Sequence, residues 1–217
     1  MKTKILLMVL SVFAILSLAC IASAQLSVGV KKGDWIQYQV TFTGTPSPDH
    51  SIVQAKMEVL DVQAPTIKVN ILSTYANGTQ VSTNSTLNLQ TGQLIDDFII
   101  PANLAAGDKF LDSNVGNVTI SSVEQRTYAG ATRTVVTASS NSNTYVWDQA
   151  TGISVEGTSQ GSDYTMHSLA SATNMWEAEN TILGLAPMTF YLLIAIVIAI
   201  VAIIIAAVAF TSMRRKK

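Results

Sequence analysis

The stretch Trp35-Ile36-Gln37-Tyr38-Gln39-Val40-Thr41-Phe42 alternates Ile36, Tyr38, Val40 and Phe42 with Gln37, Gln39 and Thr41. Successive side chains of a strand point to opposite faces, so this run reads as a β-strand with one face buried and one in water. The same rhythm continues along the chain. Val53, Ala55, Met57 and Val59 alternate with Gln54, Lys56 and Glu58, and Ile67, Val69 and Ile71 alternate with Lys68 and Asn70. A further polar-faced strand runs through Val81, Thr83, Leu87 and Leu89. Between the runs lie turn formers: Asn77-Gly78, which can supply two residues of positive φ for a type I′ hairpin, and Thr91-Gly92, Ala129-Gly130, Asn141-Ser142-Asn143 and Thr151-Gly152. Frequent turns without long helical windows predict an all-β domain, an antiparallel curved sheet in the form of a half-barrel or, alternatively, a sandwich. Pro101 to Gly107 breaks the rhythm and is expected to form a short helical turn.

The two ends of the chain read differently. Met188 to Phe210 contains no charged residue, Gly or Pro, and at about 1.5 Å per residue such a helix reaches roughly 35 Å, enough to cross a bilayer core. A transmembrane helix is therefore expected over 188–210, with a basic cytoplasmic tail at 211–217. At the other end, Lys2 and Lys4 precede the apolar run Ile5 to Ala19, and Ala22-Ser23-Ala24 fits a signal-peptidase site. That predicts a signal peptide over 1–24; an uncleaved signal anchor and a lipidated Cys20 are the alternatives. The β domain then spans 25–171 and a membrane-proximal stalk 172–187.

Charge follows the same map. All fourteen Asp and Glu residues lie between the two apolar ends, with only seven of the thirteen Lys and Arg, so the middle segment carries a net −7. Positive charge stays on the inner side, as expected for a single-pass protein with its N-terminal domain outside and its C-terminus in the cytoplasm. A net-acidic exterior argues against nucleic acid as a partner. Cys20 is the only cysteine and departs with the signal, so the domain must be held by its core without disulfides.

Three sequons, at Asn77, Asn84 and Asn117, mark candidate glycosylation sites on a Ser- and Thr-rich surface. Gly157-Thr158-Ser159-Gln160-Gly161 formally matches a nucleophile elbow, but its flanks are strand-like, and Asp163 and His167 follow too closely to fold back around Ser159. Asp112 to Asn117 has the oxygen-rich look of a calcium loop, yet Gly116 replaces a ligand and the closing Glu is missing, so it reads as a turn. Asp96-Asp97 and Glu177 with Glu179 read as solvated charge. No catalytic, cofactor or metal-binding set is assigned, and no cofactor is expected. A concave sheet carrying Tyr38, Phe42, Met57, Tyr75, Leu89, Phe98, Tyr145 and Trp147 could hold an apolar ligand, although the same residues also read as plain core. In the membrane helix, Ala195, Ala199, Ala202, Ala206 and Ala209 form one small-residue stripe, a face for homo- or hetero-association within the bilayer.

The segments Val30 to Tyr38 and Tyr145 to Gly152, with the Ile/Ala-rich tail ending in Arg and Lys, resemble a group of uncharacterised archaeal exported β-domain proteins with a single C-terminal anchor. The strand-hairpin grammar is also similar to that of the half-barrel lipoprotein carriers of bacterial envelopes, which implies acyl-chain binding on a concave sheet. The expectation is a non-catalytic, membrane-anchored cell-surface protein whose β domain is a binding or structural module. An apolar-ligand carrier or receptor is the alternative, and an extracytoplasmic hydrolase of glycans or esters the second.

Overall fold

The computed structural model describes residues 26–140, 142–179, 185 and 187–214, with helical side chains as far as Ile205. The expected signal segment and Cys20 therefore lie outside the described residues. Among the described residues eleven strands form in chain order: β1 (Trp35–Gly44), β2 (Ile52–Gln63), β3 (Thr66–Tyr75), β4 (Gln80–Asn88), β5 (Lys109–Asp112), β6 (Gly116–Thr119), β7 (Ser122–Tyr128), β8 (Ala131–Ser140), β9 (Asn143–Asp148), β10 (Ser154–Gln160) and β11 (Tyr164–Thr173). One long helix, α1 (Pro187–Arg214), follows. It contains the expected span and continues slightly beyond Phe210.

Nine strands make one antiparallel sheet in the order β4-β3-β2-β1-β11-β10-β9-β8-β7, and β5 with β6 form a separate hairpin. The sequence expectation of an antiparallel all-β domain with a C-terminal helix is met by a single large sheet. Register shifts at Gln37/Tyr38, Ile52/Gln54, Val59/Asp61 and Ser154/Glu156 mark bulges, which bend strands and increase their twist.

The topology dictates what covers the sheet. The first and last strands pair in its middle, so β4 and β7 are its two edges, and the connection between them must pass from one edge to the other. Residues 89–121 make that crossing and carry Leu89, Leu94, Ile99, Ile100, Phe110, Val118 and Ile120 into one core with Ile36, Tyr38, Met57, Ile67, Val136 and Trp147 of the sheet. The expected helical turn at 101–107 is instead a pair of tight turns, with Asn103 and Gly107 at positive φ. This insert is pinned by main-chain bonds: Ile100 N–H donates to Gly152 O (2.9 Å), Ser154 N–H to Phe98 O (2.8 Å) and Asn103 N–H to Gln149 O (2.7 Å).

The opposite face of β7 to β10 is covered as well. Register places Tyr128, Val135, Val146 and Glu156 on that face, where Tyr128, Val135 and Val146 are buried. After β11, residues 174–179, expected as the start of a stalk, return to the β7–β8 hairpin. Trp176 Nε1 donates to Tyr128 O (3.1 Å), Glu179 N–H donates to Gly130 O (2.7 Å), and the Arg133 guanidinium lies 4.7 Å from the Trp176 ring centre.

One turn expectation moves. Only Gly78 of the Asn77-Gly78 pair has positive φ; the Asn77 side chain instead accepts from Thr79 N–H (2.9 Å) in a longer loop. The type I′ geometry sits at Ala129-Gly130, with φ of 46° and 80°, because Tyr128 pairs directly with Ala131 and leaves a two-residue loop. At Gly130 a Cβ would come within 2.6 Å of the Ala178 Cβ, so the returning segment also needs glycine there.

Candidate functional site: a polar recess beside the insert

The sheet face proposed for an apolar ligand is occupied by the chain itself. Phe98 packs on Tyr38 (ring centres 6.0 Å apart), and Phe110 meets Trp147 edge-on (5.5 Å). Tyr38 donates through its hydroxyl to Ser154 O (2.8 Å), and burial pushes its pKa well above the ordinary tyrosine range. Met57, Leu89 and Trp147 are fully enclosed in this core, whereas Phe42 and Tyr75 are only half-buried near the sheet's ends.

A recess of about 160 Å³ opens where the insert meets the β5–β6 turn and the β8–β9 hairpin. Its polar lining includes Asp96, Asp97, Asp112, Asn114, Asn143 and Tyr145. Asp96 and Asp97 come from the insert and Asp112 from the end of β5. The two acidic stretches that read separately as solvated charge and as a plain turn thus meet in space. Asp97 is not solvated: only 7% of it is exposed. Its Oδ1 is buried without a hydrogen-bond partner. Burial, and then the charges of Asp112 and Asp96, push its carboxyl up to about 6.

The backbone at this point is unusual. Ile95, Asp96 and Asp97 hold φ of 51°, 53° and 54°, three consecutive non-glycine residues in the left-handed region. For a β-branched residue such as Ile95 this is a genuine outlier. The turn is fixed from below by Trp147, whose Nε1 donates to Asp97 O at 2.7 Å. Asp112 is buried and accepts from Asn114 N–H through Oδ1 (2.7 Å). Tyr145 forms a wall; its hydroxyl accepts from Asn143 Nδ2 (3.1 Å), and burial raises its pKa. Among the described residues no Asp of the recess joins an ion pair, and no three Asp, Glu or His side chains stand close enough to share a metal ion.

A second polar cluster lies on the other face. The Tyr128 hydroxyl donates to Glu156 Oε2 (2.6 Å) across β8 and β9, His167 Nε2 lies 2.9 Å from Glu156 Oε1, and Arg126 reaches Glu156 at 3.5 Å. Burial alone would raise Glu156, but Tyr128, His167 and Arg126 together outweigh it and hold the carboxyl below its ordinary value. Tyr128 is pushed up to about 12, chiefly by burial and then by the Glu156 bond. Every member has a partner, and the cluster pins the covering of that face.

The other sequence candidates fall as follows. Ser159 lies within β10, and Thr158 is opposite His167, so Ser159 and His167 face opposite sides of the sheet. Asp112 to Asn117 spans the end of β5, the turn at 113–115 and the start of β6. Asn77, Asn84 and Asn117 are all exposed, and the Asn84 side chain accepts from Asn70 Nδ2 (2.8 Å) on the neighbouring strand. Ala195, Ala199 and Ala202 lie exposed along α1, and the side chains of Ala206 and Ala209 lie outside the described residues. The recess escaped the sequence reading because Asp97 resembles an ordinary turn aspartate. The one available signal was the placement of Asp96-Asp97 between Leu94-Ile95 and Phe98-Ile99-Ile100, too apolar a setting for a solvated loop.

No family model matches the sequence, and no curated protein does. Among solved structures the chain is similar to the siderocalin Ex-FABP, described as functioning through dual ligand specificities, at TM-score 0.24 and 10% identity over 64% of this chain and 70% of that one. At that TM-score the likeness bears on neither ligand nor mechanism.

Proposed function

We propose that the protein is a single-pass, membrane-anchored surface module whose β domain works by binding rather than catalysis. The observation that carries the reading is α1. Residues Pro187–Ile205 form an apolar helix long enough to span a bilayer, with none of it buried against the rest of the molecule. A helix that apolar and that exposed is stable in lipid and unfavourable in water. Arg214 to Lys217 follow it, which by the positive-inside bias leaves the net-acidic β domain on the outer side.

Two features of the domain favour binding. The insert fills the apolar face, which speaks against a resident acyl chain. The recess at Asp97 has a carboxylate oxygen without a partner, Asp97 Oδ1, beside a rigid sheet. The test is membrane partition at alkaline pH combined with protease treatment of intact cells. The reading expects the chain in the membrane pellet and the β domain cleaved from outside. Recovery in the soluble fraction, or protection of the β domain until cells are opened, would overturn it.

A further inference from the structure

The recess at Asp97 gathers three unfavourable features at one spot. Three successive non-glycine residues, Ile95, Asp96 and Asp97, are held left-handed, a strained conformation that the surroundings must impose. A carboxylate oxygen, Asp97 Oδ1, is buried with no partner on a residue that is 7% exposed. Asp96, Asp97 and Asp112 also share the lining with no described Lys, Arg or His to balance them. Such features are held in place by the surrounding structure and cluster at ligand sites.

The shape of the recess narrows the ligand. The carboxylates are spread too widely for three of them to share one metal ion, and about 160 Å³ exceeds the space a bare ion occupies. An ammonium presents three N–H donors and a guanidinium five, so either can bridge oxygens set apart from one another. The Tyr145 ring in the lining adds a face of the kind that attracts organic cations. The net −7 charge of the middle segment favours the approach of a positive ligand.

We propose that this recess binds the ammonium or guanidinium group of an organic cation, with Asp97 and Asp96 as its acceptors and Tyr145 as its wall. The proposal rests on reading the β domain as a binding module and supplies the chemistry of its ligand. The group belongs either to a free small amine or to a Lys or Arg side chain of a partner protein.

The test is thermal unfolding of the full chain in mild detergent, titrated with n-butylammonium or methylguanidinium chloride against sodium chloride of equal ionic strength. The expected result is a saturable rise in Tm of roughly 3–6 °C at ten times the dissociation constant, absent with sodium chloride. Asp97→Asn should abolish the rise or shift its midpoint at least tenfold, and the exposed Asp96→Asn should shift it several-fold with the fold intact. Asparagine tolerates the left-handed backbone at both positions. A lysine-rich peptide that binds more tightly than butylammonium, and loses this on lysine acetylation, assigns the group to a partner protein; equal or weaker binding assigns it to a free amine. A rise matched by sodium chloride, an unchanged midpoint in Asp97→Asn, or a saturable response to calcium chloride with none to the organic cations overturns the proposal. Any of those outcomes leaves the membrane and protease results standing, so the two readings fail separately.

Discussion

The two halves of the large sheet are built by different rules. In β1 to β4 burial alternates: Ile36, Tyr38 and Val40 are inside while Gln39 and Thr41 are out, and β4 is exposed along most of its length. In β8 and β9 neighbouring residues are buried together, as with Val135-Val136 and Val146-Trp147. The first half is covered on one face and the second on both, by the insert on one side and by Tyr128 with the returning segment 174–179 on the other. The doubly covered half is where the strained turn and the recess sit. Trp147 links the two features, since it is packed in the core and also donates to the main chain of Asp97. A turn that holds three left-handed residues needs such a rigid floor.

The largest test of this contrast is Trp147→Ala. Removing a fully buried indole should destabilise the fold by about 3–5 kcal/mol, with denaturant unfolding as the readout. Trp176→Ala, on the half-buried covering of the other face, should lose clearly less; equal losses would erase the distinction between core and covering.

Next comes Tyr128→Phe, which removes the hydroxyl that crosses two strands to reach Glu156 and should cost about 1–2 kcal/mol at neutral pH. The pH dependence sharpens this. The folded Tyr128 pKa is raised to about 12, above an unfolded value near 10. Its contribution is therefore complete below pH ~10 and is lost as pH rises through about 12, so wild type and variant should converge in strong alkali. Persistence of the full difference at high pH would show that the hydroxyl is not the cause.

Asp97→Asn should act in the opposite direction and stabilise the protein in the absence of ligand. The folded Asp97 carboxyl titrates at about 6, above an unfolded value near 3.9. The fold therefore favours the protonated form, and the associated stability, complete below pH ~4, is lost as pH rises through about 6. At pH 7 the variant should gain about 1 kcal/mol, the full shift being discounted because the group borders a water-accessible recess. The gain should vanish near pH 4, and a thermal scan at the two pH values checks it.

The smallest effect is expected at Ala129, held at φ 46° in the β7–β8 hairpin. Ala129→Asn should add about 0.5–1 kcal/mol, since Asn accepts the left-handed turn at lower cost.

Which parts were legible in the sequence follows the same division. Period-two alternation identified β1 to β4 because one wet face leaves a polar residue at every second position. It weakened in β8 to β10, where Val135-Val136 and Val146-Trp147 need no polar partner. The insert reads as a loop with scattered apolar residues, and only the pairing of β1 with β11 makes it a crossing segment that must cover the sheet. The recess depended on a contact between Asp97 and the neighbourhood of Asp112, set by that crossing and by nothing local. The long apolar C-terminal helix was legible throughout, since length and apolarity suffice for it.

The insert seals the apolar face of the sheet, and the Asp97 recess is the place proposed for a ligand. Amide hydrogen exchange over 89–121 in the full-length protein, with and without a long-chain fatty acid, tests that seal most directly. Protection at Ile100, Ala102 and Asn103, whose N–H groups donate to Gly152 O, Ser27 O and Gln149 O, should match that of β9 and β10 and stay unchanged by the fatty acid. Exchange of these amides within seconds while the sheet stays protected, or a change in their protection when fatty acid is added, would make the insert a lid over a lipid site and contradict it.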